Sequence, residues 1–144
     1  MIIKEIEATD TYRIRKQVLR NGLDLPVKFD GDLDKSSFHL GTFSEDKLIG
    51  IASFMKNAKD IFSGKQYQLR GMATLPEARG LGFGKALIFK AIEILKEEGI
   101  SILWCNARKI ALPFYQNLGF KIHGEPFDIP EIGIHYLLKK EIDS

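Results

Sequence analysis

The first residues, "IIKEIEA", alternate apolar and polar positions, the period of a strand with one face buried. Thr9 or Asp10 can cap a following helix, with Tyr12, Ile14, Val18 and Leu19 as its apolar side and Asn21-Gly22 as its stop. A polar loop rich in aspartate, "DLPVKFDGDLD", comes next. "FHLGTF" and "LIGIASFM" then flank "SEDK", the pattern of a β-hairpin. The third strand of this region, "YQLRGMAT", changes phase: Tyr67 and Leu69 share one parity, Met72 and Thr74 the other. A slip of one residue beside Gly71 predicts a β-bulge there.

The second half continues with a helix from about Lys85 to Glu98. Ile88, Ile92 and Leu95 follow the helical period, Leu87, Ala91 and Ile94 widen the apolar face, and Gly99 supplies the stop. "ISILWCNA" is the apolar run of a strand buried on both faces. "KIALPFYQNL" predicts a short helix with Pro113 near its first turn and Gly119 as its stop. "FKIHG" and "IGIHYLLKKEI" close the series as strands. Strand, helix, three strands, helix, strand, helix, two strands predicts an α/β fold, a mixed sheet with helices packed on it.

At 144 residues the chain fits one domain, 1–144, with enough length to bury a core. A net charge of +2, with both signs interspersed, gives no basic patch for nucleic acid. One cysteine, Cys105, allows neither a disulfide framework nor a multi-cysteine zinc site. Acids stand in the N-terminal stretch where a signal peptide needs an apolar core, and no apolar run approaches the ~20 residues of a membrane span. The expectation is a reduced, cytoplasmic protein without a membrane or metal partner.

The concentration of glycine in "ARGLGFGKAL" points to chemistry. Gly80, Gly82 and Gly84 lie between a strand and a helix, where the first helical turn has unpaired N–H groups and partial positive charge. Bare backbone at that point predicts a phosphate site. The dinucleotide fingerprint fails, because Lys85 stands where its third glycine belongs. The P-loop fails as well: Arg79 replaces its first glycine, and Ala86 replaces the hydroxyl that would hold magnesium. What fits is R-x-x-G-x-G, as Arg79, Gly82 and Gly84.

That motif, between a strand and a long helix, resembles the acetyl-CoA signature of the GNAT N-acetyltransferase superfamily. "ARKIALPFYQNLGF" resembles the family's second signature, an alanine, then a tyrosine, then Gly-Phe, and the likeness runs from about Gln66 to Phe120. The resemblance implies a mostly antiparallel sheet flanked by helices, with a splayed strand pair forming the slot for CoA. It implies that backbone N–H groups of Arg79, Gly80, Leu81, Gly82, Phe83, Gly84 and Lys85 hold the pyrophosphate. It implies that Met72, Ala73 and Thr74 pair with pantetheine like an added strand, and that Asn106 bonds pantetheine; capping the next helix is the other role open to Asn106. Dimers are common in the superfamily.

The resemblance also implies transfer of acetyl from acetyl-CoA to an amine by direct attack. Tyr115 matches the tyrosine that family members use as general acid for the departing thiolate. A backbone N–H near Met72 or Ala73 would meet the oxyanion. Several members place a glutamate on the strand before the loop, but "YQLRGMAT" has no acid, so the base must come from elsewhere. Of the imidazoles His39, His123 and His135, the last lies on a late strand near the expected cleft and is the candidate. Cys105 reads as a buried thiol rather than an acyl carrier. Asp24, Asp30, Asp32 and Asp34 would attract a cationic amine, whereas Arg70 would face a carboxylate, so the acceptor stays open. The alternative to an enzyme is a module that senses acyl-CoA without turnover.

Overall fold

The computed structural model describes residues 1–142; positions 143–144 of the expected domain lie outside the described residues. Eight strands form one sheet: β1 (Ile2–Ile6), β2 (Phe38–Ser44), β3 (Lys47–Met55), β4 (Gln66–Thr74), β5 (Ile102–Arg108), β6 (Lys121–Ile122), β7 (Phe127–Ile129) and β8 (Gly133–Glu141). Their order is β1-β2-β3-β4-β5-β8-β6, with β7 also paired to β8. Only β4 and β5 run parallel; every other pair is antiparallel. This is the mixed, mostly antiparallel sheet that the sequence and its family resemblance predict. Among the described residues no helix is long and apolar enough to cross a membrane.

The β2–β3 hairpin turns through Glu45 and Asp46, whose φ values of 51° and 65° give the left-handed backbone conformation that a two-residue connection needs. α2 (Phe83–Glu97) starts two residues earlier than its apolar period suggests, because Gly82 (φ 85°) already serves as its N-cap. Its end is a Schellman cap: Gly99 (φ 75°) donates to Lys96 and Ile100 donates to Leu95. β7 is the one strand the pattern does not predict, since its three residues between Pro126 and Pro130 are too few to display a period.

The N-terminal helical stretch is irregular. A 3-10 turn (Ala8–Thr11) leads into α1 (Tyr12–Ile14) and then a π turn (Arg15–Leu19). The cap also differs from expectation. Glu7 takes that position, and Asp10, three residues on, accepts a hydrogen bond from the Glu7 N–H at 2.9 Å.

Both sheet faces are covered, and the division matters for the site. On one face α2 and α3 (Leu112–Asn117) bury Leu87, Ile88, Ala91 and Leu95 against Phe54, Leu69, Leu103 and Cys105. On the other, Ile14 packs with Ile49, Ile51 and Ala73, while Ile102, Trp104 and Leu137 pack under Phe62. The aspartate-rich loop is anchored to this second face. Arg15, fully buried, makes a two-pronged ion pair with Asp32 at 2.7 and 3.0 Å and also donates to Ser53 and to the Val27 carbonyl.

Candidate active site

The central strands part where the second half of the chain begins. β4 and β5 share only three register pairs, Gln66–Ile102, Tyr67–Leu103 and Gln68–Trp104. Past them β4 stays with β3 and β5 stays with β8, so the facing edges from Leu69 to Thr74 and from Cys105 to Arg108 have no strand between them. This is the splayed pair implied by the family resemblance.

The expected bulge lies on one lip of that gap. Ser53 pairs with Arg70 and Ile51 with Ala73, so Gly71 and Met72 together oppose Ala52. Gly71 has φ 62°, and a Cβ there would lie 2.7 Å from the Phe29 ring. The slip returns Met72 to the face that Tyr67 and Leu69 occupy, beneath α2 and α3, and turns Ala73 to the other.

At the end of β4 the chain makes a 3-10 turn (Pro76–Ala78) and enters the glycine loop. Gly80 and Gly82 both have positive φ, 78° and 85°, and a Cβ on either would meet nothing within 4 Å. These two glycines serve the backbone conformation and leave the space above it open. Gly84 serves packing: a Cβ there would lie 2.8 Å from Met72 Cε and 3.2 Å from the Phe114 ring. No side chain caps α2, so its first N–H groups face outward with the dipole behind them. Arg79, Leu81 and Lys85 are exposed around them.

Tyr115 reaches the gap from α3. A second Schellman cap ends that helix: Gly119 (φ 91°) donates to Gln116 and Phe120 donates to Tyr115. The cap sets the Phe120 ring against Tyr115 at 5.3 Å between centroids, and Phe114 flanks it at 5.1 Å. The Gly-Phe after the tyrosine therefore has a physical purpose, which is to fix the phenol. Its hydroxyl meets one protein atom, Met72 Sδ at 3.7 Å, a weak acceptor. Burial first, and Cys105 second, push the phenol well above its ordinary range. Burial likewise pushes up the Cys105 thiol, so no thiolate is present at neutral pH to take an acyl group.

Asn106 stands on the β5 lip. It caps nothing: the turn after β5 begins at Lys109 with Arg108 as its N-cap. Its buried Oδ1 has no hydrogen-bond partner. The three histidines differ. His39 uses both ring nitrogens, with Ser53 Oγ at 2.7 Å and the Asp32 carbonyl at 2.9 Å. His123 is exposed, edge-on to Phe62. His135 is buried opposite Arg108 in the β5–β8 ladder, with Nδ1 2.8 Å from the Gly133 carbonyl. That carbonyl can only accept, so Nδ1 donates to it, and the ring's Nε2 is not used in that bond. His135 shares its face with Leu137, opposite the one that holds Tyr115.

Met72, Ala73 and Thr74 thus lie on the β4 lip just before the glycine loop, with Tyr115 touching Met72 and Asn106 across the gap. His135 lies one strand further on. What the sequence does not reveal is a group of arginines on the second face, Arg15, Arg20, Arg70 and Arg108, gathered from three separate segments; of these the sequence singles out only Arg70.

Residues 5–120 match the acetyltransferase (GNAT) family. The chain is 42% identical over 142 residues to an uncharacterised N-acetyltransferase of Bacillus subtilis, YitI, covering 97% of this chain and 95% of the relative. It is 31% identical over 125 residues to the ribosomal protein bS18 alanine N-acetyltransferase of Haemophilus influenzae, covering 83% and 80%. Its fold is similar to that of an aminoglycoside 6'-N-acetyltransferase solved with coenzyme A, with TM-score 0.77, 13% identity and coverage of 100% and 98%. The chain belongs to the GNAT family and is an acetyl-CoA-dependent N-acetyltransferase.

Proposed function

We propose that Tyr115 is the general acid of an acetyl transfer in which the acceptor amine attacks the thioester directly. The observation that carries this reading is a buried phenol at the β4–β5 gap whose only hydrogen-bond partner among the described residues is a thioether. A hydroxyl so weakly engaged is free to donate elsewhere. Because its environment holds it protonated, it still has that proton when a thiolate, with an ordinary pKa near ~8.5, departs.

Acetyl-CoA supplies the activated acetyl group. The protein's part begins with the glycine loop, whose outward N–H groups at Gly82, Phe83, Gly84 and Lys85 take the pyrophosphate at the N-terminus of α2. The β4 lip from Met72 to Thr74 offers unpaired backbone groups to an extended pantetheine, in the manner of strand addition. The orphaned Asn106 Oδ1 accepts from one of its amides on the opposite lip. A backbone N–H at the bulge, near Met72, meets developing charge on the carbonyl oxygen. On the other face Nε2 of His135 takes the proton of the incoming amine, directly or through water. In this reading acid and base act from opposite faces of the sheet.

Gly82→Val tests the cradle. Its φ of 85° disfavours any L-residue by roughly 1–2 kcal/mol, and the valine methyls would fill the space above the free N–H groups. Calorimetry is expected to give an acetyl-CoA Kd raised roughly tenfold or more, as for one or two lost charge-assisted hydrogen bonds, against a few-fold rise for Arg79→Ala. Equal affinity for Gly82→Val and wild type would refute the cradle. The transfer itself is tested by thiol release from acetyl-CoA with a panel of amines.

A further inference from the structure

The acceptor face is unusually rich in arginine. Arg15 is neutralised, since Asp32 accepts both of its prongs and also takes the Phe29 N–H at 2.9 Å. The other three have no such partner. Arg20 donates only to the Pro26 carbonyl at 3.1 Å, Arg70 only to the Asp30 carbonyl at 3.4 Å, and Arg108 only to the Leu19 carbonyl at 3.5 Å. None of the three has a carboxylate within ion-pair distance among the described residues.

These guanidiniums are drawn together. Arg15, Arg70 and Arg20 stack on the single ring of Phe29 at 3.8, 4.6 and 5.5 Å from its centroid. Phe29 is held there by the bulge, because only glycine at position 71 leaves room for its edge. Arg70 and Arg108 flank the gap itself: Arg70 is two residues past the last β4–β5 pair, and Arg108 ends the opposite lip. Arg20 follows the helical stretch that lies over them. Mutual repulsion registers in the side chains: burial first, then Arg108, Arg70 and Arg15 hold Arg20 below the usual arginine range. The acids in reach are Asp32, already consumed, and Asp30, which offsets Arg70 without pairing with it. Of the four aspartates that would attract a cationic amine, Asp32 is therefore spent on Arg15.

We infer that Arg70 and Arg108, with Arg20 above them, form a recognition site for an oxyanion on the acceptor, so that the amine acetylated here carries a carboxylate or phosphate group. Three unneutralised guanidiniums converging at the mouth of the reaction gap are a forked donor set that matches such an oxyanion in two-pronged geometry. The inference rests on the acceptor entering from this face, as proposed above.

The test uses the full chain and paired amines that differ only in the anion. An amino acid against its amide probes carboxylate, and glucosamine 6-phosphate against glucosamine probes phosphate. Thiol release from acetyl-CoA is expected to favour the anionic member of at least one pair roughly tenfold or more in kcat/KM, and which pair responds identifies the source. Arg70→Gln and Arg108→Gln should each raise acceptor KM by a similar factor while KM for acetyl-CoA stays unchanged, with Arg→Lys variants partly restoring it. Independently of turnover, inorganic phosphate titrated into CoA-saturated protein should bind wild type and fail to bind Arg70→Gln. Equal use of neutral and anionic amines, or phosphate binding that ignores both arginines, would overturn the inference. Failure of acetyl-CoA to bind wild type would instead strike the reading of the glycine loop.

Discussion

Tyr115→Phe is expected to lower kcat about a hundredfold, the lower range for loss of a general acid, with little change in Kd for acetyl-CoA. The substitution is unusually clean for a buried tyrosine. Removing a buried hydroxyl normally destabilises a protein because a partner is left unsatisfied. Here the partner is the Met72 thioether, which loses almost nothing, and the ring keeps its contacts with Phe114 and Phe120. Melting temperatures should therefore match while activity separates. Acyl donors with a better leaving group offer a second readout: a thioester whose thiol is more acidic should suffer less from the substitution. An unchanged kcat would leave Tyr115 as an aromatic wall of the slot and nothing more.

Asp32→Ala is expected to cost 3–5 kcal/mol of stability in urea unfolding, roughly the penalty for stranding one member of a buried ion pair. The side chains of Arg15 and Asp32 are 0% and 3% exposed, so solvent cannot screen the charge that remains. Ser53 and the Val27 carbonyl would still hold Arg15, but neither is an anion. The wild-type pair also predicts a pH dependence. Burial alone would raise the Asp32 pKa; the Arg15 hydrogen bond, the Phe29 N–H and the nearby positive charges outweigh it and hold the carboxyl below its ordinary range. A carboxyl depressed in the folded state stabilises fully above its unfolded value, near ~3.9, and loses that contribution as pH falls through the folded value. Wild type should therefore lose stability below about pH 4 along a curve that Asp32→Ala does not follow.

Much of this architecture is legible in the sequence, for identifiable reasons. The glycine loop, the Gly-Phe after Tyr115 and the phase slip at Gly71 are local: each requirement is satisfied by residues within a few positions. Even the bulge could be read, because parity along a strand is a local property. The arginine cluster could not, since Arg15, Arg20, Arg70 and Arg108 come from three distant parts of the chain and only the assembled fold brings them together. Asp32 was hidden for the converse reason. In sequence it is one of four aspartates in a polar loop, and nothing local distinguishes the buried one. The free nitrogen of His135 depends on the Gly133 carbonyl, two residues away but positioned by the turn after β7.

The three register pairs joining β4 to β5 have a mechanical consequence. They make the sheet two half-sheets, β1–β4 and β5–β8, hinged at one end and open at the other. Each open lip is an interior edge, a row of backbone donors and acceptors that elsewhere would have to be covered or blunted against stray pairing. A substrate with amide groups along an extended arm would supply the missing length of ladder. On this view acetyl-CoA completes the protein's own secondary structure, and backbone amides of residues 69–74 and 105–108 should exchange hydrogen more slowly once it is bound. Release of CoA would then leave both lips unpaired again.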